Sequence, residues 1–522
     1  MRSTSNRFLR SFIHVIDDDS LLNIFDLCRP VLLDEGPVDD VRILQGGEWI
    51  HERWWYQLTH VCRRWRYLIL GSASHLGLSL LCTYGTPVAD MLAHSPPFPL
   101  VIDHVDQSHL ITAEDEEQIM LALQHHDRVR RIRLLVPAPN LQKFIAAIGK
   151  EFPILEYLYI GPPTYNNIGF VFPEILQAPH LRHLVLFNFT FALGSPLFAT
   201  AAKLVTLSLN EIPPSPYIHP GDLLRYISHM LELQTLGVNF QSPLPNHDIE
   251  RQNLDVPITT QVTLPNLRWF GFKGASAYLE TLLSRITAPL LEKLKVDFFN
   301  QLTISIPNTQ QFISSTGNLR FTRATLVFDE TSVDLWVYPR GASMYTLKMG
   351  VIGQHHDWHV SSAAQIISAL SPVFSTVVDL SLHLNYWSRT SSPEWHNEAD
   401  HTQWREVLRS FNNVETLDVH HGLLEELSRS LQLQHGESPM ELLPELKELR
   451  YDAGSDISGV FTPFYDVRRN AGRPFILVPN LNPRSRRLGP PPLPPPHRVS
   501  VDPSFHTGFF EMGPFGPGSP PF

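Results

Sequence analysis

A short arrangement of apolar residues recurs along the chain from about Val129 onward. An apolar residue is followed by two variable positions, a second apolar residue, any residue and a third apolar residue, which gives the motif L-x-x-L-x-L. Because side chains alternate between the two faces of a β-strand, the second and third apolar positions predict a short strand with one buried face. The clear copies of this strand motif are Val129/Ile132/Leu134, Leu155/Leu158/Ile160, Leu181/Leu184/Leu186, Leu204/Leu207/Leu209, Leu233/Leu236/Val238, Leu267/Phe270/Phe272, Leu291/Leu294/Val296, Val377/Leu380/Leu382, Val414/Leu417/Val419 and Leu446/Leu449/Tyr451. A degraded copy lies around Leu319 and Leu326/Phe328.

Amphipathic helices are predicted between the strand motifs. The stripe from Leu141 to Ile148 has apolar residues at i, i+3, i+4 and i+7, as expected for one face of a helix. Asn140 is a candidate N-cap for this helix, and Gly149 stands where it should end. A similar stripe further along the chain follows a candidate cap at Thr402. Strands and helices are therefore expected to alternate.

A strand, a helix and a second parallel strand cannot bury the apolar face of one unit alone, so neighbouring units must stack. The first seven copies begin 23 to 34 residues apart, a spacing that overlaps and exceeds that of leucine-rich repeats. We therefore predict an α/β fold in which a small helical module precedes an irregular leucine-rich-repeat-like solenoid with a parallel sheet. The alternative is that the motifs are amphipathic strands of an ordinary α/β domain.

Changes in composition divide the chain into four parts. We predict a flexible N-terminus over residues 1–15, a helical module over residues 16–72 with an insertion at 28–53, and the solenoid over residues 73–472. Proline and glycine dominate residues 473–522, so this tail is predicted to be disordered.

One face of the predicted sheet is expected to meet a partner. The residues that flank the core positions of each strand motif must point to the opposite side of the strand. On that side we select Tyr159, Trp269 and Lys295 as candidate substrate-binding residues. Exposed aromatic residues contribute strongly at interfaces, and lysine suits an acidic or phosphorylated partner. The alternative is that these three are ordinary solvated strand residues.

The N-terminal module contains two patterned segments. Asp17, Asp18, Asp19 and Ser20 stand immediately before an apolar run, where acidic and hydroxyl side chains favour the start of a helix. The segment from Trp54 to Leu70 places Leu58, Val61, Cys62, Trp65 and Ile69 on one stripe of a second helix. Two short helices cannot bury this much apolar surface against each other, so the surplus must cover the solenoid or bind a partner.

The same residues carry a family resemblance. The run from Asp18 to Phe25 (DDSLLNIF) and the run from Trp55 to Arg66 (WYQLTHVCRRWR) resemble an F-box. More narrowly, the chain resembles the F-box proteins of mushroom-forming fungi, in which a V-C-R-x-W-R helix precedes a sequence close to Ser79–Val88 (SLLCTYGTPV). The resemblance covers about residues 16–104 specifically and the repeat region only in its general organisation.

This resemblance implies an adaptor role. An F-box docks on the Skp adaptor of a Skp-cullin-F-box ubiquitin ligase, and the repeats that follow hold a protein substrate. The chain would then be a substrate receptor without catalytic residues of its own. The residues that the resemblance places at the adaptor interface are Leu21, Leu22, Ile24, Phe25, Leu58, Val61, Cys62, Trp65 and Ile69.

Composition narrows the possible partners and compartments. The chain has 522 residues and a formal net charge of −11, so it lacks the basic surface expected of a protein that binds nucleic acid. No stretch reaches the length of about 20 apolar residues needed to span a membrane. The three cysteines, Cys28, Cys62 and Cys82, form no C-x-x-C pair, which favours a reducing compartment. The cytoplasm or nucleus is therefore expected.

The sequence contains no motif that clearly indicates an enzyme. Two histidine clusters, His355/His356/Asp357/His359 and His396/Glu398/Asp400/His401, lack the spacing of zinc enzymes and are interpreted as solvated loop residues. The sequence contains no Walker loop, G-x-G-x-x-G or G-x-S-x-G motif. We expect no catalytic residue, metal or cofactor. The alternatives to an F-box receptor are a repeat scaffold without a role in ubiquitin transfer and, third, a metal hydrolase.

Overall fold

A computed structural model provides the structure of the protein. It describes residues 16–29, 54–105, 110–163, 169–190, 196–213, 218–241, 258–299, 301, 303–329, 331–353, 359–385, 398–419, 421–432, 441–452 and 461–480. The predicted flexible N-terminus, most of the predicted insertion and residues 481–522 of the predicted tail lie outside these ranges.

Helices and strands alternate through the described chain. The helices are α1 Asp18–Leu27, α2 Trp54–Thr59, α3 Arg63–Gly71, α4 Val88–His94, α5 Ala113–Gln124, α6 Ala138–Ile148, α7 Pro196–Thr200, α8 Pro220–Ile227, α9 Ser276–Leu283, α10 Pro307–Ser315, α11 His359–Ala369, α12 Glu398–Arg409, α13 Leu424–Ser430 and α14 Thr462–Asn470. Short 3₁₀ helices occur at Val373–Thr376 and His421–Leu423. The strands are β1 Leu80–Cys82, β2 Leu100–His104, β3 Val129–Leu135, β4 Tyr157–Gly161, β5 Phe170–Val171, β6 His183–Phe187, β7 Phe189–Thr190, β8 Thr206–Ile212, β9 Thr235–Phe240, β10 Val262–Thr263, β11 Trp269–Gly274, β12 Ile286–Thr287, β13 Lys293–Phe299, β14 Arg323–Asp329, β15 Ser332–Tyr338, β16 Leu347–Ile352, β17 Asp379–Asn385, β18 Thr416–Val419, β19 Glu448–Asp452 and β20 Ile476–Asn480.

One large sheet organises the fold. Its strand order is β1-β2-β3-β4-β6-β8-β9-β11-β13-β16-β15-β14-β17-β18-β19-β20, and β5 with β7 and β10 with β12 form two small parallel pairs. All the pairings with a described register are parallel except the two made by β15. The predicted mixed α/β class with a large, mostly parallel sheet is therefore confirmed.

The strand motifs fall into lateral register. Where two motifs stand on neighbouring strands, their second apolar residues pair, as Ile132 does with Leu158 and Leu158 with Leu184. Leu347, Val337 and Ala324 continue the line between Leu294 and Leu380. We call the resulting line of side chains the anchor row. Its members, each at most 1% exposed, are Cys82, Ile102, Ile132, Leu158, Leu184, Leu207, Leu236, Phe270, Leu294, Leu347, Val337, Ala324, Leu380, Leu417 and Leu449. The core therefore lies along this face of the sheet.

The degraded motif around Leu326 marks a departure from simple repetition. β16, rather than β14, lies beside β13, and β15 runs antiparallel between β16 and β14. Only residues 330–331 connect β14 to β15. A connection of two residues closes an antiparallel hairpin, whereas a parallel crossover needs about a dozen residues or more. The reversed strand still places Val333, Leu335 and Val337 on the core side.

The sheet continues beyond the boundary predicted at residue 473. β20 is the last strand in the sheet order, and the Ile476 N–H donates to the Lys447 carbonyl oxygen over 2.8 Å. Phe475 is buried, with its ring 5.5 Å from that of Phe464 and 5.4 Å from that of Tyr465. The sheet therefore includes residues up to Asn480, because an aromatic residue after the helix α14 still packs into the core.

Two truncated chains test whether β20 contributes to the stability of the fold and whether the residues after it do. Ending the chain after Asn482 keeps β20 and should leave the midpoint of thermal unfolding within about 2 °C of the wild-type value. Ending it after Gly472 removes Phe475, and losing a buried phenylalanine costs about 3–5 kcal/mol. A clear decrease after the first truncation, or none after the second, would contradict this boundary.

Candidate partner-binding surfaces

The first candidate surface is formed by the helices α1, α2 and α3. Asp17 caps α1, since its carboxylate accepts from the Ser20 N–H over 2.8 Å, as the acidic run predicts. α1 packs against α3 through the rings of Phe25 and Trp65, whose centroids lie 4.8 Å apart. Arg64 joins the same two helices, because its guanidinium donates to the Asp18 carboxylate and to the carbonyl oxygen of residue 16.

The segment predicted as a single helix from Trp54 to Leu70 is divided in two. The N–H groups of His60 and Val61 donate three residues back, to Gln57 and Leu58, and Cys62 is extended at φ −159°. Bonds to the residue three positions back tighten and end an α-helix. The prediction of one continuous stripe is therefore wrong, and Val61 and Cys62 lie in the connection between α2 and α3.

The nine predicted adaptor residues do not share one environment. Three of them, Leu21, Phe25 and Ile69, are at most 1% exposed and belong to the same core as the sheet. Those that are half-buried are Leu22, Leu58, Cys62 and Trp65, and those that are exposed are Ile24 and Val61. The three core residues join the module to the sheet, and in this structure their side chains are too buried to contact an adaptor.

Sequence reasoning missed two exposed apolar side chains of this module. Leu27, at the end of α1, and Tyr67, on α3, are both 85% exposed. Leu27 lies three residues after Ile24, so both occupy neighbouring positions on the α1 surface. Ile24 borders the buried face of Leu21 and Phe25, and Leu27 lies on the far side of the helix, so the helical position of Leu27 is the signal that could have identified the outer face.

The second candidate surface is the face of the sheet opposite the anchor row, which we call the second face. Tyr159 and Trp269 lie on it as predicted, but they are only 3% and 4% exposed. Tyr159 packs in a small apolar cluster of this face, and the Trp269 ring lies over Gly271, where a Cβ would overlap it. The prediction that these aromatic side chains are exposed is wrong, because strand alternation fixes the side of the sheet and not what covers it.

The third predicted substrate-binding residue belongs to a network of charges. Lys295 retains 25% side-chain exposure and lies 3.8 Å from the Asp297 carboxylate. Lys348, on the neighbouring strand, lies 3.0 Å from Asp297 and 3.2 Å from Asp334. The Nζ atom of Lys348 is also 5.2 Å from the centroid of the Trp336 ring. This part of the second face is thus occupied by ion pairs within the protein.

A glycine makes room for these ion pairs. Gly350 pairs with Asp297 on one side and with Asp334 on the other. A Cβ at this position would overlap the Asp334 carboxylate and lie 2.9 Å from the carboxylate of Asp297. Burial raises the pKa of Asp334 despite the opposing effect of Lys348. Burial also acts to lower the pKa of Lys348, but the two carboxylates outweigh it and the pKa is raised.

The described members of the two histidine clusters lie in helices and not in the loops expected from the sequence. His359 lies in α11 and is 1% exposed, and Glu398, Asp400 and His401 lie in α12. His355, His356, Asp357 and His396 lie outside the described residues. Within the described ranges, no group of three or more His, Cys, Asp or Glu side chains could hold a metal ion.

A shallow cleft on the helical side has a volume of about 470 Å³. It lies between α11 and α12, and its lining includes Ser368, Ser371, Glu406 and Arg409. The Arg409 guanidinium donates to the Glu441 carboxylate over 2.8 Å.

Among the helices that the structure describes, none is both long and apolar enough to cross a membrane.

No model of a protein family matches the chain, and no curated protein matches it.

The charge network on the second face can be tested through its glycine. Gly350→Ala should displace the carboxylates that hold Lys348 and destabilise the fold by about 1–3 kcal/mol, as expected for added volume in a packed site. Gly317→Ala is the matched control, since no atom lies within 4 Å of its added Cβ. Thermal unfolding measures both variants. Equal midpoints for the two would contradict the packing described for Asp297 and Asp334.

Proposed function

We propose that the chain is the substrate-recognition subunit of a Skp-cullin-F-box type ubiquitin ligase. Residues 16–72 act as the F-box and bind a Skp-type adaptor, which joins the chain to a cullin scaffold. The large sheet and its helices form an irregular leucine-rich-repeat-like solenoid that holds a protein substrate. This assignment combines the sequence resemblance with the apolar surface that the module leaves uncovered.

The observation that carries the proposal is the exposure of four large apolar side chains in the module. Ile24 is 42% exposed, Val61 is 52% exposed, and Leu27 and Tyr67 are 85% exposed. In α1, Leu21 and Phe25 are fixed in the core, while Ile24 lies at the edge of that buried face and Leu27 lies beyond it. A contiguous patch of exposed apolar side chains is typical of a protein-binding surface, and the proposal takes these four side chains as parts of one. A Skp-type adaptor is the partner that the F-box resemblance supplies.

The proposed role requires no reacting group from this chain. A substrate held by the repeat region is brought close to an enzyme that carries ubiquitin as a thioester. Tethering raises the effective concentration of the substrate lysines near that thioester, which accelerates transfer by proximity. Binding alone would therefore account for the activity of the chain within the ligase.

Two charged variants test the adaptor surface. Ile24→Asp and Val61→Asp should each reduce capture of a Skp-type adaptor at least tenfold, because an unpaired carboxylate at an apolar interface costs several kcal/mol. The matched controls are Ile175→Asp and Val171→Asp, which change the same residue types at 67% and 66% exposure elsewhere on the surface. Co-purification measures capture, and thermal unfolding confirms that each variant is folded.

Failure of the wild-type chain to bind a Skp-type adaptor would exclude the F-box assignment. If the wild-type chain captures no Skp-type adaptor, the alternative of a protein-interaction scaffold without a ubiquitin-ligase role stands. The burial of Leu21, Phe25 and Ile69 favours that alternative, because these side chains already have a partner in the sheet core. If the adaptor is captured equally by the wild type and both charged variants, the interface lies elsewhere on the chain.

A further inference from the structure

The basic residues of the chain are divided very unequally between arginine and lysine. The sequence has 41 basic residues, of which 33 are arginine and only eight are lysine. Lysine is otherwise among the commonest residues of proteins. Residues 1–142 and 448–522 contain no lysine at all. The lysines are Lys143, Lys150, Lys203, Lys273, Lys293, Lys295, Lys348 and Lys447.

Four of the lysines lie on or beside the second face, where each is held by a neighbouring group. Lys273 lies 2.8 Å from the Glu211 carboxylate, and Lys293 lies 4.1 Å from the centroid of the Tyr345 ring. Lys295 and Lys348 belong to the network with Asp297 described above. All four are half-buried. The compact ammonium group of lysine suits the narrow space between two carboxylates better than the wider, planar guanidinium of arginine.

The other four lysines are exposed. Lys143 lies on α6, whereas Lys150, Lys203 and Lys447 lie outside the helices and strands. The Lys143 and Lys447 side chains are 58% and 64% exposed, although each meets a glutamate. Ion pairs on the surface are worth little, so they leave these amines accessible to a reactive ester or thioester. The described lysines thus fall into an accessible set and a held set of equal size.

We propose that modification of this chain by ubiquitin is confined to Lys143, Lys150, Lys203 and Lys447, and that arginine replaces lysine elsewhere on the surface to withhold further acceptor amines. The inference rests on the proposed function, since a substrate receptor in an assembled ligase is held near a ubiquitin thioester. The lysine-free N-terminal module would be the part held by the adaptor. Arginine preserves the positive charge of the surface without supplying an acceptor.

The chemistry explains why arginine is a safe replacement. The neutral Nζ of a lysine attacks the carbonyl carbon of the ubiquitin thioester; the C–N bond forms and the C–S bond breaks. The thiolate leaves with the electron pair of that bond, and the proton lost by the amine neutralises it through solvent. A guanidinium stays protonated in proteins and its nitrogen electrons are delocalised, so it does not act as this nucleophile. For Lys348, the raised pKa also keeps the neutral amine scarce.

Accessibility can be measured without any ligase component. The full chain is treated briefly with an N-hydroxysuccinimide ester of acetate, and labelling at each lysine is followed by mass spectrometry. We expect the four exposed lysines to react at least tenfold faster than Lys348 and faster than Lys273, Lys293 and Lys295. Equal rates at all eight positions would overturn the division on which the proposal depends, whatever the function of the chain.

Ubiquitin transfer itself is measured in a reconstituted reaction with the Skp-type adaptor, the cullin scaffold and a ubiquitin-charged conjugating enzyme. Changing Lys143, Lys150, Lys203 and Lys447 together to arginine should reduce conjugation to the chain at least tenfold. Arg63→Lys and Arg469→Lys, at exposed positions in the two lysine-free regions, should add a new conjugation site in at least one of these regions.

The outcomes separate the two proposals. If no adaptor is captured, the proposed function fails, while the acylation rates still report which lysines are accessible. If the adaptor is captured but conjugation persists in the fourfold arginine variant, the restriction to four acceptors is wrong. If neither added lysine is modified, lysine content does not limit modification in these regions, and that part of the proposal is overturned.

Discussion

The lateral alignment of the anchor row is the constraint on which the rest of the structure depends. Fifteen strands each contribute one side chain to it, and each of these side chains is at most 1% exposed. A shift of one residue in any strand would turn its apolar set to the other face, so burial fixes the register strongly. Fixing the register of the core side also fixes it on the second face, because the two alternate. The placement of Asp297, Gly350 and Asp334 side by side follows from this alignment.

The anchor row also explains why an irregular chain still builds one sheet. The segments between motifs vary in length, and β15 runs against all its neighbours. Val337 nevertheless pairs with Leu347 on one side and with Ala324 on the other, so the row passes through the reversed strand without interruption. Alternation with a period of two is the same in both strand directions. Strand polarity can therefore change while the buried face stays continuous.

Sequence patterns were most informative where burial alone decides the structure. The second and third apolar positions of all ten strand motifs lie on strands, and Gly149 follows the last residue of α6 as expected. The two candidate helix N-caps were not confirmed, because capping depends on which other groups compete for the side chain. Asn140 lies inside the first turn of α6 and donates to Glu116, and Thr402 lies within α12. The division between α2 and α3 was missed because the apolar spacing of the segment continues across it.

The position of the N-terminal module relative to the sheet follows from the same core. One continuous set of buried apolar residues runs from Leu21 in α1 to Phe475 beside β20, and it includes Ile69 of α3. Close-packed interiors deform little, so the described helices of the module, which share the core of the sheet, are expected to move with it. A partner bound at Ile24 or Val61 would therefore stand in a fixed position relative to the second face. Under the proposed adaptor role, this fixed position would matter because the effective concentration of a tethered substrate depends on geometry.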